Sequence, residues 1–282
     1  MLSLLALGSS VSWGAADFFA ALFSRRRSPV AVVGWTQSLA FLAISAVVLT
    51  RLGSVEWAHW PVWAFGAGVS GVTGLLCFYT ALSTGTMGVV APIAALGVAV
   101  PVLRGVATGD DPSPWTWVGI LVAIVGVTLA SGPELSGAAS PRPVVLAGVA
   151  AVGFGLALFC IDRGARTSNL MTLWGMRATS VAFFVVLALV TRRLGGMAVR
   201  DVPALLAIGC ADLGANVLFG LASSRGEVSV ASVLGSLYPV VTILLARALL
   251  KERLRAIQKV GARNRAEAVR IARHKGWLEP GG

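Results

Sequence analysis

Apolar residues in this chain gather into long runs that are separated by short polar breaks. The runs occupy approximately residues 2–23, 30–50, 61–82, 87–107, 115–132, 143–161, 170–190, 203–223 and 228–250. Each run has about the length, roughly 17 to 25 residues, that an α-helix needs to cross the hydrocarbon core of a bilayer. The pattern therefore predicts an all-α membrane protein with nine transmembrane helices.

The breaks between the runs carry the residue types that end membrane helices. Proline, glycine and charged residues are concentrated there, as in SRRRSP at 24–29 and TGDDPSP at 108–114. The first run has no basic segment before it and continues through Trp13 to Asp17. This argues against a cleaved signal peptide, so we expect the first run to be the first span.

Composition supports the same fold class. Only 12% of the residues are charged, whereas soluble domains carry roughly 25% charge. The net charge of +11 is concentrated at the ends of the runs and in residues 251–282, which hold nine Lys or Arg and three Glu. This distribution is typical of membrane-flanking basic residues and argues against a nucleic-acid partner. The three cysteines have no metal-ligand or redox spacing, so we expect no metal and no cofactor.

The two halves of the chain are related by a shift of about 141 residues. This shift aligns Trp13-Gly14 with Phe154-Gly155, and several Gly and Ala residues also fall in register. It predicts a repeat unit of five spans over residues 2–132, with a second copy after it. An odd number of spans turns the second copy upside down, which is the inverted-repeat design known from membrane transporters.

Three segments of the sequence resemble the EamA type of the drug/metabolite transporter superfamily. They are WGAADFFAALFSRR in the first run, FYTALSTGTMGVVAPIAALGVAVPVL across the third and fourth, and CADLGANVLFGLASSRGEVSVASVLGSLYPVVTILLARALLKERLRAIQKVG near the end. The SLYP…LLA…LKERL…Q..G succession in the last segment is the most specific part. The resemblance covers about residues 1–261. It implies two EamA repeats, ten helices and transport of small metabolites or drugs, often against a proton gradient.

The resemblance divides the chain into a first EamA repeat at 1–132, a linker at 133–142, a second repeat at 143–261 and a basic tail at 262–282. The family pattern calls for an apolar tenth helix after Gly261, but ARNRAEAVRIARHKGWLEP follows instead. That tail resembles the last helix of a LuxR-type helix-turn-helix domain, without its recognition helix. We interpret it as the product of a fusion, recombination or frameshift. The alternative is a natural amphipathic helix held at anionic lipid headgroups.

Asp17 is a carboxylate inside the first predicted span. Ionisable residues within membrane spans are costly to place there and are therefore functional candidates. Trp13 lies one turn earlier, so the two side chains project from the same face of the helix. Beside a cavity, Asp17 would be able to accept and release a coupling proton. The alternative is a structural Asp that pairs with an Arg elsewhere.

Four further candidates lie in the second half of the chain. Asp212 and Asn216 are spaced i,i+4 on one helix face, where they would bind amine or hydroxyl groups of a substrate or make helix-packing hydrogen bonds. Arg177 is the natural counter-ion of Asp17 or Asp212, and a structural ion pair is favoured over recognition of a substrate carboxylate. Tyr238 precedes a proline that frees a backbone carbonyl, so it is a candidate gate or substrate wall.

The sequence predicts no catalytic residues and no enzyme, because no Ser/His/Asp, Cys/His or paired-carboxylate arrangement stands out. The expected function is secondary transport of small solutes across the plasma membrane, most simply proton-coupled export. Membrane lipid, a small solute and protons are the expected partners. One alternative is a poorly functional transporter remnant. A membrane-tethered regulator that acts through the tail is less favoured.

The distribution of basic residues predicts an orientation. With the N-terminus outside, the inner loops and the tail hold sixteen Lys and Arg, against four in the outer loops. Without the tail the comparison is seven against four. Because basic residues favour the cytoplasmic side, we expect the tail to be cytoplasmic.

Overall fold

The computed structural model describes residues 2–24, 27–51, 59–84, 93–107, 141–191, 197–226 and 228–249, together with the single positions 90, 109, 114, 117, 118, 121 and 125. In this part of the chain every regular element is a helix. Residues up to Val241 belong to one compact unit, and Thr242 begins a second.

The helices follow one another in a simple order. They are α1 (Leu2–Ser24), α2 (Pro29–Leu49), α3 (Trp60–Thr84), a 3₁₀ turn (Leu96–Val98), α4 (Ala99–Ala107), α5 (Pro141–Thr191), a 3₁₀ turn (Val199–Asp201), α6 (Val202–Ser223), α7 (Val228–Gly235) and α8 (Tyr238–Leu249).

Five of these helices, α1, α2, α3, α5 and α6, are long and apolar enough to cross a membrane. Helix α1 has 23 residues, which span about 34 Å at 1.5 Å per residue. Large apolar side chains on α1 face outward, since Leu4 is 76% exposed and Val11 56%. This is the surface expected of a helix that faces lipid rather than water.

Helix α5 is two helices joined at a sharp break. Ser168 has extended backbone angles (φ −155°, ψ 104°) inside the 51-residue helix, and its Oγ accepts a hydrogen bond from the N–H of Met171 at 3.3 Å. This is the geometry of an N-cap that starts a new helix. The first arm (141–167) and second arm (169–191) therefore correspond to two of the predicted spans.

Two predicted spans, 87–107 and 228–250, differ from the prediction because each is interrupted. The first contains the 3₁₀ turn at Leu96–Val98, and the second breaks between Gly235 and Tyr238. A proline follows each break, and its ring cannot tolerate the carbonyl four residues earlier in a regular helix. Pro101 places that carbonyl at Gly97, and Pro239 places it at Gly235.

The structure does not test the remaining predictions about the ends of the chain and the connections between spans. Most of the predicted fifth span, 115–132, lies outside the described residues, as do the greater part of the predicted linker and the whole basic tail. The count of nine spans and the nature of the tail therefore stay predictions.

Packing inside the first unit shows that equivalent residues of the two repeats make equivalent contacts. The rings of Trp13 and Phe219 lie 5.8 Å apart, and those of Phe78 and Phe154 lie 5.7 Å apart. Shifting by 141 residues converts Trp13 into Phe154 and Phe78 into Phe219. Each repeat therefore packs its first helix against the third helix of the other repeat in the same way.

A close approach between two backbones also occurs at equivalent positions of the two repeats. A methyl group at Gly14 would lie 2.6 Å from the carbonyl oxygen of Tyr238, and one at Gly155 would overlap the carbonyl oxygen of Gly97. The 141-residue shift relates Gly14 to Gly155 and Gly97 to Tyr238. Glycine is required at both crossings because any side chain would push the first helix of one repeat away from the broken helix of the other.

The second helices of the two repeats run in opposite directions. Gly34 on α2 packs against Phe184 on the second arm of α5, whereas Ser45, later on α2, accepts a hydrogen bond from the indole N–H of Trp174 at 3.0 Å. Residue numbers rise along α2 as they fall along its neighbour. Repeat mates that run antiparallel are what an inverted repeat requires.

Candidate functional site

A cavity of about 190 Å³ lies between the helices of the first unit. On the same measure a single water needs only about 10–15 Å³, so the cavity has room for a small solute. Its lining comes from both repeats: Trp13, Asp17, Gln37, Ala67, Gly71, Val72, Leu75, Phe78, Ala94, Ala95, Gly97, Val98, Phe154, Ala157, Leu158, Ile161, Met176, Arg177, Ser180, Asp212, Asn216, Gly235, Ser236 and Tyr238.

Asp212, on the cavity wall, lies halfway along α6. It is ten residues after Val202 and eleven before Ser223, where α6 ends. At 1.5 Å per residue it is about 15 Å from either end of the helix. The bilayer core is about 30 Å thick, so a spanning α6 would hold this residue near the midplane.

Both interrupted helices contribute their breaks to the cavity wall. Ala94, Ala95 and Gly97 line it from the first repeat, and Gly235, Ser236 and Tyr238 line it from the second. The 141-residue shift superimposes these two triplets. Interrupted segments at corresponding positions of two halves are the usual place of a binding site in inverted-repeat transporters.

Arg177 is held by an ion pair inside the protein. Its Nη2 lies 2.6 Å from Oδ2 of Asp212, and the Arg177 side chain is 3% exposed. Nη1 donates to Oε1 of Gln37, and the buried Nε has no partner among the described residues. The structure thus pairs Arg177 with Asp212, one of the two counter-ions that the sequence left open.

Asn216 supports the same pair from one turn further along α6. Its Nδ2 donates to the backbone carbonyl of Asp212 at 2.7 Å and lies 3.5 Å from Oδ1 of that residue. The i,i+4 spacing predicted from the sequence is therefore used within the helix, and both side chains also line the cavity.

Asp17 has a different environment from Asp212. Its half-buried side chain lines the cavity, and no described residue hydrogen-bonds to its carboxylate or forms an ion pair with it. Asp212 is near enough to repel it electrostatically. Among the described cavity residues, Asp17 is the carboxylate without a compensating cation.

Trp13 and Tyr238 flank Asp17. Their rings meet edge to face with centroids 6.5 Å apart and an interplanar angle of 70°, and both rings line the cavity together with Asp17. All six residues singled out from the sequence therefore line one cavity.

Sequence reasoning missed several cavity residues. Gln37, Ser180 and Ser236 are neutral, and they were not distinguished from ordinary helix-packing residues. An amide such as Gln37 within the apolar run 30–50 was a usable signal, because a polar group in a membrane span needs a partner. Phe78 and Phe154 carry no such signal, because aromatic residues are common on lipid-facing and helix-packing surfaces alike.

Nothing in the arrangement indicates a metal centre. Within the described residues no group of three or more His, Cys, Asp or Glu side chains converges on one point. What the cavity offers is an uncompensated carboxylate, a neutralised ion pair, aromatic rings and an apolar wall. These groups are suited to binding a small solute.

The fold and the cavity are those of a multi-pass membrane protein whose two repeats surround a central, mainly apolar cavity that contains a few charged and polar side chains. The sequence matches the EamA-like transporter family over residues 1–132 and 142–263. The chain therefore belongs to this family, as the sequence resemblance predicted, and membership indicates a membrane transporter of small solutes. The likeness of the tail to a LuxR-type helix stays a prediction.

A solved structure described as "Crystal structure of protein" is similar to this chain in fold. It superposes with a TM-score of 0.74 over 96% of this chain and 92% of that chain, at 20% sequence identity. At this identity the likeness concerns the fold alone. None of the curated proteins compared with this chain matches it significantly.

Proposed function

We propose that this protein is a secondary transporter that couples the export of a small solute to proton movement, with Asp17 carrying the coupling proton. The observation that supports the proposal is the uncompensated Asp17 carboxylate on the wall of a midplane cavity. Secondary transporters need a group there that both proton and solute can influence, and intramembrane carboxylates serve this purpose in proton relays.

The paired state of Asp212 favours Asp17 for this role. The Asp212 carboxylate is already engaged by a guanidinium at 2.6 Å, whereas Asp17 has no cation partner among the described residues. We assign Arg177, Asp212 and Gln37 to holding α2, α5 and α6 in register around the cavity. Asp212 and Asn216 also present oxygen atoms that would contact hydroxyl or amine groups of the solute.

The orientation that we propose is supported by the distribution of basic residues. Lys and Arg are in excess on one side of the predicted spans, which favours an N-terminus outside and a tail in the cytoplasm. If solute and protons are exchanged, an inward proton gradient would drive solute outward as the cavity opens to each side of the membrane in turn.

Reconstituted flux tests the proposal. The protein would be placed in proteoliposomes with an imposed pH gradient and offered a panel of labelled amines, amino acids and nucleosides. We expect at least one compound to be moved by the native protein in response to the gradient. Asp17→Asn should abolish that response while inserting and folding normally.

Asp201→Asn is the matched control for this experiment. Asp201 is a carboxylate that pairs with Arg27 at 2.7 Å and, unlike Asp17, does not line the cavity. Flux through the Asp201→Asn variant should therefore stay close to native. Gradient-driven flux that is equal in Asp17→Asn and native protein would contradict the coupling role. A panel in which no compound moves faster than in protein-free liposomes would contradict transport itself.

A further inference from the structure

The charged groups of the cavity do not balance. Its described lining contains two carboxylates, Asp17 and Asp212, and one guanidinium, Arg177. With both carboxylates ionised, the lining carries one net negative charge. At mid-membrane depth such a charge attracts a proton or another single cation, because water is too scarce there to screen it.

Arg177 is not available to a ligand. Its side chain is 3% exposed, two of its nitrogens are occupied by Gln37 and Asp212, and its Nε is enclosed within the protein. A solute carboxylate would have to displace Asp212 to reach it. Removing one partner of a buried pair leaves an uncompensated charge, so that exchange is unfavourable.

The wall around Asp17 is suited to a cation. Trp13 and Tyr238 line the cavity together with Asp17, and their rings meet edge to face at 70°. Aromatic faces attract ammonium groups, most strongly where water is excluded. A protonated amine in the cavity would have both a carboxylate and an aromatic surface available to it.

Much of the remaining cavity wall is apolar. Leu75, Phe78, Phe154 and Leu158 line it, and the rings of Phe78 and Phe154 meet at 68°. An aliphatic or aromatic body would bury its surface there, whereas a second charged group would be left without a partner.

We propose that the solute is a small amphipathic amine that carries one positive charge and no carboxylate. Its ammonium group binds beside Asp17, Trp13 and Tyr238, and its apolar body packs against Leu75, Phe78 and Phe154. This inference rests on the proposed function, since it names the class of solute for the same cavity.

Three compounds with one scaffold separate the possibilities. Phenethylamine carries only the amine, phenylalanine adds a carboxylate, and phenylpropionate has only the carboxylate. Binding to the purified native protein in detergent would be measured by titration calorimetry, with tryptophan fluorescence as the second readout. We expect phenethylamine to bind at least tenfold more tightly than either of the other two.

Variants assign the binding to the cavity. Asp17→Asn should weaken phenethylamine binding at least tenfold and leave the two carboxylate compounds unchanged, and Asp201→Asn should bind all three as the native protein does. Asp17→Glu should keep the preference for the amine, which separates loss of charge from loss of fold.

Two results would overturn the inference. One is binding of phenylalanine or phenylpropionate as tight as that of phenethylamine, and the other is no binding of the amine at millimolar concentration by the folded native protein. Binding selectivity without gradient-driven flux would uphold this inference and contradict the proposed function. Gradient-driven flux of carboxylate compounds would contradict this inference and uphold the proposed function.

Discussion

The two repeats give the cavity the same backbone frame but different side chains. Trp13 and Phe154, or Gly97 and Tyr238, occupy equivalent places around it. The polar positions are not shared: Asp17 corresponds to Leu158, Asp212 to Gly71 and Asn216 to Leu75 under the 141-residue shift.

This difference separates two parts of the machinery. Contacts that recur in both repeats, such as the glycine crossings, form the shared backbone frame. In the proposed transport cycle we expect this frame to exchange conformations between the repeats, which would change the side of the membrane to which the cavity opens. Residues that occur in only one of the two repeats determine the chemistry of the cavity. In a symmetric cavity two uncompensated carboxylates would repel each other, whereas the asymmetric cavity carries a single net negative charge when both of its carboxylates are ionised.

The largest effect is expected from breaking the ion pair that the first repeat lacks. Arg177→Met leaves Asp212 without its cation, which typically destabilises a protein by about 3–5 kcal/mol. We expect about 3 kcal/mol, because Asp212 is 30% exposed to the cavity. Thermal unfolding in detergent measures this.

The double variant Arg177→Met with Asp212→Leu is the control for that prediction. Removing both charges should recover most of the stability, since an apolar pair of similar size is often neutral. A single variant that unfolds at the native temperature would show that the pair contributes nothing.

The glycine crossings should be equally sensitive in both repeats. We expect Gly14→Val and Gly155→Val each to destabilise the protein by about 1–3 kcal/mol, because each places a side chain against a backbone carbonyl. Gly148→Ala has nothing within 4 Å of its added methyl and should be neutral or slightly stabilising. Tolerance at one crossing and collapse at the other would disprove the equivalence of the repeats.

Moving the carboxylate to its repeat mate should not restore function. In the double variant Asp17→Leu with Leu158→Asp, the carboxylate faces the cavity from the other repeat, away from Trp13 and Tyr238. Gradient-driven flux in proteoliposomes is expected to stay at the level of Asp17→Asn. Recovery of most of the native flux would mean that any carboxylate in the cavity is sufficient.

Making Asn216 resemble its repeat mate should have the smallest effect. Asn216→Leu removes the hydrogen bond from Nδ2 to the Asp212 carbonyl at 2.7 Å, worth about 1 kcal/mol. Thermal unfolding should change slightly and the ion pair should persist. A loss as large as that of Arg177→Met would assign Asn216 a much greater part in holding Asp212.

Much of the fold was readable from the sequence. Predicted spans 2–23 and 203–223 nearly coincide with α1 and α6, because charge and proline bound these apolar runs. The helix breaks at Gly97 and Gly235 were harder to predict from the sequence. A proline in a membrane helix either kinks or breaks it, and neighbouring helices decide which.

The six candidate residues all line the cavity, but the sequence did not show which of them pair with each other. Costly polar residues in apolar runs pointed to Asp17, Arg177 and Asp212. Sequence spacing gives no distance between separate helices, so it did not show which carboxylate takes the arginine. Packing of α2, α5 and α6 decides this, with Gln37 holding the other side of the guanidinium.

The most direct test compares the two carboxylates of the cavity in the native protein. Dicyclohexylcarbodiimide is apolar and reacts with protonated carboxyl groups, so it labels those that exchange protons within a membrane protein. Modified sites would be located by peptide mass spectrometry across a range of pH. The account predicts labelling at Asp17 that falls as pH rises, with Asp212 unlabelled because Arg177 engages its carboxylate at 2.6 Å. Equal labelling of both residues, or labelling of Asp212 alone, would contradict it.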